Sequence, residues 1–340
     1  MKRILIVRTD RIGDVIMITP MIREIKKAFP DSYIAALVRK SSADVLINNP
    51  HLDEIITDDL QKDSFWKIVR QLRSRKFMHG LLVMPTERAA YQMFLAGVKK
   101  RIGVGKKLYE VITLMESVSR NKYIPLRHEA DYCMDLARKI GVKTNNISPE
   151  IFLTKEELTK GEKFLEEVGA DPEAVKIIVH SGSLNSSPNW SEDKYFELIT
   201  RLLTEIKNVK TNIFLTAREM SPEFLEKIIK LNDKRIFNIA QKLDSLRDLI
   251  IFINAVDLIM VSSTGPAHIA DALKKKAVVI HCHRPMNCAK HWGIINDPSS
   301  NIEVTASYCD SHCSPDKERC MIENGITVET VFDAIKKKIN

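Results

Sequence analysis

The sequence predicts an α/β protein of two domains, each a parallel sheet doubly wound by helices, facing each other across a cleft. Three observations predict it. Short apolar runs alternate with amphipathic segments from the first residue onward, the rhythm of parallel strands covered by helices on both faces. A polar, turn-rich stretch interrupts that rhythm once, and the rhythm then restarts. The chain has 340 residues, too many for one compact core and suited to two domains of ordinary size.

In the first half, RILIV (3–7) is a buried strand, and DVIMITPMIREIKKAF (14–29) follows as a helix that Pro20 kinks. YIAALV (33–38), EIIT (54–57) and GLLVMP (80–85) read as further strands. SFWKIVRQLRSR (64–75) and ERAAYQMFLAG (87–97) have helical spacing, and HEADYCMDLARKIG (128–141) is a helix stopped by Gly141. VKTNNISPEIFLTKEEL is the linker candidate, which puts the domains at 1–150 and 151–340. In the second half the strands are VKIIVHSG (175–182), TNIFLTA (211–217), AVDLIMV (255–261) and AVVIHC (277–282). The helices are EDKYFELITRLLTEI (192–206) and SPEFLEKIIKLN (221–232). The two halves share no close sequence repeat. In such sheets ligands bind at the carboxyl ends of the strands, where the strand order reverses, and between two domains the expected site is the cleft.

Composition narrows the partners. The chain carries 52 Lys and Arg against 44 Asp and Glu, a formal net charge of +8, which favours anionic ligands such as phosphorylated substrates or anionic lipid. Zinc-finger spacing, an RNP-type aromatic motif and dense basic runs with interleaved aromatics are all missing, so nucleic acid is not an expected partner. The apolar runs are strand-sized, far short of a membrane span. MKRILIVRTD becomes charged before a signal-peptide core develops. The expectation is a cytoplasmic protein whose basic surface suits peripheral contact with an inner membrane.

Three stretches carry chemistry. AVDLIMVSSTGPAHIADAL ends a strand in Ser263, Thr264 and Gly265 and opens a helix with Pro266, whose missing N–H is harmless at the first position. Free backbone N–H groups, hydroxyls and the helix dipole make an anion site there, with His268 in the first turn. The bland alternative is routine Ser/Thr capping and a satisfied core histidine. VHSGSLNSSPNW (179–190) is a second donor-rich loop at a strand end, with Ser183 its best-placed hydroxyl; the alternative is a solvated loop. Two such loops in one half-chain point to a diphosphate. In RTDRIGDVIMITP (8–20) the strand turns through Gly13 and presents Asp14 at a helix start. There it serves either as a cap stabilised by the dipole or as a base taking a proton from an acceptor hydroxyl. Arg8 and Arg11 flank it, placed to hold an acidic acceptor.

Together these stretches resemble the heptosyltransferases of lipopolysaccharide assembly, glycosyltransferase family 9, with the GT-B fold of two Rossmann-like domains. The resemblance covers most of the chain. It rests on ILIVRTDRIGDVIMITPMI, HSGSLNSSPNW and SSTGPAHIADAL, with the closing CMIENGITVETVFDAI also similar. It implies an acceptor-binding first domain and a donor-binding second one. Asp14 would be the catalytic base of an inverting transfer needing neither metal nor cofactor, with Arg8, Arg11 and Gly13 on the acceptor side. Ser263, Thr264, Gly265 and His268 would hold the donor pyrophosphate, assisted by Ser183. Glu219, in FLTAREMSPEF, would hold the nucleoside. The implied donor is ADP-heptose, and the implied acceptor is a hydroxyl on an anionic lipopolysaccharide core.

Two positions depart from the family pattern, both on the donor side. Pro188 stands where members often carry a lysine two residues before the tryptophan, with Lys194 nearby in sequence as a substitute; Ser263 stands where aspartate is frequent. These departures keep two other readings open, a non-catalytic binder on the same scaffold and a nucleotide-sugar epimerase. Cys309, Cys313 and Cys320 either hold a metal with a fourth ligand such as His312 or pack as small hydrophobes in a closing loop, their spacing matching no common zinc pattern. The basic segment VKKRIGVGKK (98–107) meets lipid or acceptor, or is simply solvated. The last helix, VETVFDAIKKKI (328–339), has one apolar face, which in proteins of this kind often packs back on the first domain.

Overall fold

The computed structural model describes residues 1–59, 62–105, 107–120, 123–313 and 320–340. The chain divides into two compact units, Met1–Phe152 and Leu153–Asn340.

The first unit is built on six parallel strands: β1 (Arg3–Arg8), β2 (Tyr33–Val38), β3 (Glu54–Thr57), β4 (His79–Leu82), β5 (Lys100–Gly103) and β6 (Glu116–Ser117). Their spatial order is β3-β2-β1-β4-β5-β6. The second unit repeats the plan with β7 (Val175–His180), β8 (Thr211–Leu215), β9 (Ile236–Asn238), β10 (Leu258–Ser262), β11 (Lys276–His281) and β12 (Asn301–Glu303), ordered β12-β11-β10-β7-β8-β9. All pairings are parallel. Central strands are apolar without alternation because helices bury both faces: Ile4 to Val7 of β1 are fully buried, as is Ile177–Ile178 of β7.

Each sheet reverses its strand order once, between β1 and β4 and between β7 and β10. Those are the points where parallel sheets hold ligands at their carboxyl edge. The candidate stretches leave β1, β7 and β10, the strands that border these reversals. Val261 of β10 lies in register with His180 of β7, so the two candidate donor loops start side by side.

Three local features differ from expectation. The kinked helix over 14–29 is instead two helices, Ile12–Ile16 and Thr19–Ala28, with Pro20 in the first turn of the second. A proline in a first turn has no hydrogen bond to break, so interrupting the helix at Met17–Ile18 is easier than bending it. The polar linker ends in a helix, Lys155–Glu167, opened by a capping box: the Thr154 hydroxyl accepts from Glu157 N at 3.2 Å and the Glu157 carboxylate from Thr154 N at 2.9 Å. β5, β6, β9 and β12, of two to four residues, lie toward the ends of the strand orders and lack the apolar runs that marked the equally short β3 and β4.

The apolar face of the terminal helix Val328–Ile339 is buried inside the second unit, with Val328, Val331, Phe332 and Ile335 packed against the helix Glu192–Glu205 and β11. The Trp190 indole N–H donates to Ile326 O at 2.9 Å, tying the middle motif to this tail.

Candidate functional site

In the first unit, Arg8 closes β1 at the sheet's carboxyl edge and is buried. Its Nε donates to both Asp10 oxygens at 3.0 and 3.1 Å and its Nη1 to Glu129 Oε1 at 2.8 Å; its Nη2 donates to Asp14. Glu129 opens the helix Glu129–Lys139, and Arg120 donates to both of its oxygens at 3.3 Å. Three carboxylates thus surround Arg8, with Arg120 as a second cation. Burial opposes the Arg8 charge, but Cys133, Asp10, Glu129 and Asp14 together hold its pKa well above the usual arginine value. Burial pushes Asp10 up to about 7; Arg8 pulls against that shift, while Asp14 and Glu129 add to it.

Asp14 sits in the first turn of Ile12–Ile16, but the cap position belongs to Arg11, which makes no side-chain cap bond. The Asp14 carboxylate is held by Arg8, not by the helix start alone, and its side chain remains 20% exposed. Gly13 is buried beneath it, while Arg11 is exposed. Arg39 and Lys40, at the end of β2, are also exposed, and Arg39 Nε donates to Thr9 O at 2.6 Å.

In the second unit, the loop after β7 turns tightly. Ser183 O accepts from Ser186 N at 2.9 Å and Ser186 Oγ at 2.7 Å, which carries Leu184 and Asn185 through φ of 45° and 54°. A leucine in the left-handed region is uncommon and marks a conformation imposed by its surroundings. Glu219 contributes to those surroundings, since its carboxylate accepts from Leu184 N at 3.2 Å. A Cβ at Gly182 would overlap the Glu219 carboxylate, so glycine permits this approach. His180 Nδ1 lies 2.8 Å from Thr216 Oγ1, and burial pushes its pKa down to about 4 with Glu219 resisting.

The turn after β10 departs from simple capping. Thr264 occupies the cap position of the helix Gly265–Ala272, yet its side chain makes no cap bond; its hydroxyl donates to Ser262 O at 3.2 Å. Pro266 has no N–H to cap, and Ala267 N donates to Thr264 O at 3.0 Å, so the backbone and not the threonine side chain closes this helix start. Ser263 N donates to Ile280 O at 3.1 Å, pinning the turn to β11. His268 is buried in the first turn, its ring 5.6 Å from that of Trp292.

Other expectations resolve locally. Pro188 is buried, and the Lys194 amine pairs with Glu197 at 3.3 Å. Cys309 and Cys282 are buried, and Arg284 bridges Cys313 (Nε to Sγ, 2.6 Å) and Cys282 (N to Sγ, 3.4 Å). Burial, with Cys313 and Cys282 adjacent, pushes Cys309 up to about 12. His312 instead stacks on Tyr308, with ring centroids 4.3 Å apart. Among the described residues no three or more His, Cys, Asp or Glu side chains are arranged to hold a metal ion. No helix there is long and apolar enough to cross a membrane. Lys106 of the basic segment lies outside the described residues.

Sequence reasoning missed Asp10, Arg120, Glu129, His180 and Cys282. Asp10 and His180 stood inside the motifs already singled out. Nothing local flagged Glu129, which meets Arg8 from 121 residues away.

Comparison with known proteins gives concordant results. Residues 65–325 match the family described as glycosyltransferase family 9 (heptosyltransferase). Over 302 residues the chain is 24% identical to the lipopolysaccharide core heptosyltransferase OpsX of Haemophilus influenzae, covering 87% of this chain and 83% of that protein. Its fold is similar to that of a family 9 glycosyl transferase from Veillonella parvula, with a TM-score of 0.82 at 18% identity, covering 99% of this chain and 97% of the other. It is also similar to the ADP-heptose LPS heptosyltransferase II of E. coli, with a TM-score of 0.78 at 16% identity, covering 100% and 98%.

Proposed function

The chain belongs to glycosyltransferase family 9 and is a glycosyltransferase; from that premise we propose that it moves a heptose from ADP-heptose to a hydroxyl of a lipopolysaccharide core, with inversion and without a metal. The observation that carries this reading is the start of the helix Gly265–Ala272, which has no side-chain cap, beside the strand reversal of the second unit. The positive end of that helix dipole, flanked by the Ser263 and Thr264 hydroxyls, suits a diphosphate.

In this reading Asp14 accepts the proton of the acceptor hydroxyl. The freed oxygen attacks the anomeric carbon opposite the diphosphate, the bond to the diphosphate breaks, and the leaving group departs with the electron pair. The helix start, the hydroxyls of Ser263 and Thr264, and His268 stabilise the charge that develops. Ser183 assists, and Glu219, which shapes the loop over Ser183 and Leu184, holds the nucleoside. The Arg8 guanidinium is occupied by Asp10, Asp14 and Glu129, so it positions the base, and the acceptor's charge falls to the exposed Arg11. Lys194 takes the part of the lysine that Pro188 replaces. Its surface pair with Glu197 is worth at most about 1 kcal/mol and yields to a phosphate.

Pro188 also favours a second reading, a glycan binder that has lost its donor. Thermal stabilisation by ADP, UDP, GDP and ADP-heptose separates the two, because a ligand bound only by the folded state raises the melting temperature. The enzyme reading expects selective stabilisation by ADP and ADP-heptose, retained in Asp14→Ala while transfer is abolished. Silence toward every nucleotide supports the binder, and full activity in Asp14→Ala ends the assignment of the base.

A further inference from the structure

Five of the six cysteines lie in the second unit, and all six are free thiols. Cys282 follows β11 at the carboxyl edge of its sheet. Cys309 lies in the helix Ala306–His312, and Cys313 is the residue that ends that helix. Folding gathers these three: the Cys309 thiol is in hydrogen-bond contact with both Cys313 and Cys282. The transfer reading uses none of them.

The three sulfurs are not equivalent. Cys282 and Cys309 are buried, whereas Cys313 is partly exposed. Arg284 Nε donates to Cys313 Sγ at 2.6 Å. A guanidinium donating to a sulfur favours the thiolate as acceptor, and the thiolate is the form that attacks. The same guanidinium opposes a metal cation at these sulfurs. Burial, with Cys313 and Cys282 adding to it, pushes the Cys309 pKa up to about 12, so this thiol stays protonated. An accessible sulfur beside a cation, touching a buried protonated one, has the arrangement of an attacking thiol and a resolving thiol.

The backbone permits a bond between them. Cys313 N donates to Cys309 O at 2.7 Å, which keeps the two residues one turn apart on the same side. Cβ atoms at that helical spacing are about 5–6 Å apart, and a disulfide brings them to about 4 Å. Cys313 has already left helical geometry, with φ −75° and ψ 126°, so the last turn is free to tighten.

We propose that Cys313 and Cys309 are a redox-active thiol pair whose co-reactant is a low-molecular-weight disulfide. The Cys313 thiolate attacks one sulfur of that disulfide; its S–S bond breaks, and one small thiolate leaves with the electron pair and takes a proton from water. The Cys309 thiol then gives its proton to water and attacks the Cys313 sulfur of the mixed disulfide, releasing the second small thiol. Two protein thiols have lost two electrons and two protons, and the small disulfide has become two thiols. Excess small thiol runs both steps backward. Where thiols are kept reduced, a bond of this kind is transient and not a structural framework. The pair uses no donor or acceptor chemistry and stands apart from the transfer reading.

The test is incubation of the full chain with oxidised glutathione, followed by iodoacetamide labelling and mass spectrometry of the intact chain and its peptides. In the reduced chain Cys313 is expected to be labelled first. After oxidation two of the six thiols no longer label, no glutathione remains attached, and a linked peptide joins Cys309 to Cys313. Dithiothreitol restores both thiols. Cys309→Ser stops at the mixed disulfide and keeps one glutathione on Cys313. Cys313→Ser slows the loss of thiols by about tenfold or more, and Arg284→Gln slows labelling of Cys313 several-fold. Cys320→Ser reacts like wild type, and unchanged thermal melting shows that each variant is folded. Wild type that keeps all six thiols overturns the proposal, as does a bridge that omits Cys309 or Cys313. A metal ion in the purified chain that blocks labelling until it is chelated also overturns it. The assay contains neither nucleotide nor acceptor, so failure of the transfer reading leaves this result untouched.

Discussion

The Arg8 guanidinium holds the Asp14 carboxylate from one edge while its other edges hold Asp10 and Glu129. The group read as the base is therefore one corner of a buried ion network, and its direction is set by a residue six positions earlier in the chain.

Arg8→Met should lower the unfolding free energy by about 3–5 kcal/mol in urea, because it leaves buried carboxylates without a cation. Arg8→Lys keeps one charge but not the planar fork that serves three partners. That variant is expected to lose kcat while ADP still raises its melting temperature. An Arg8→Met variant within about 1 kcal/mol of wild type would show that the network contributes little.

Asp10 makes stability depend on pH. Its folded pKa of about 7 lies above the ordinary 3.8, so between those values the folded chain binds more protons than the unfolded one. Stability from this group is full below about pH 4 and is lost as pH rises toward 7. Asp10→Asn should flatten that part of the curve, read as urea midpoints from pH 4 to 8. Parallel curves for the two proteins would refute the shift.

Gly182→Ala places a methyl group against the Glu219 carboxylate. Glu219 is exposed and can swing away, so the stability change is expected below about 1 kcal/mol. Stabilisation by ADP should weaken several-fold. Adding Glu219→Ala should then have little further effect, since both changes remove the same contact. Full additivity would separate the glycine from the glutamate.

Much of the architecture was legible in the chain because it is written locally. ILIV in β1 and LIMV in β10 are runs that only a doubly covered parallel strand can bury, and Ser64, Ser221 and Thr327 cap helices where the pattern starts them. Pro20 was read correctly as a disturbance and incorrectly as a kink, since proline is tolerated in a first turn and the helix simply restarts there. β5, β6, β9 and β12 stayed invisible because two to four residues carry no period and none of them is a continuous apolar run like those that marked β1 and β2.

What the sequence determined by itself is what depends on near neighbours: two wound sheets, the loops at their carboxyl edges, and the family those loops resemble. Tertiary structure alone decided that Glu129 and Arg120 complete the network around Arg8, that Thr264 bonds Ser262 and leaves its helix without a side-chain cap, and that Cys282 joins Cys309 and Cys313. It alone decided that Leu108, Val111 and Ile112, spaced like core residues, face water. The physical reason is range. Backbone hydrogen bonding and apolar periodicity act over a few residues, whereas ion pairing and desolvation depend on which strands become neighbours and which side of a helix is covered.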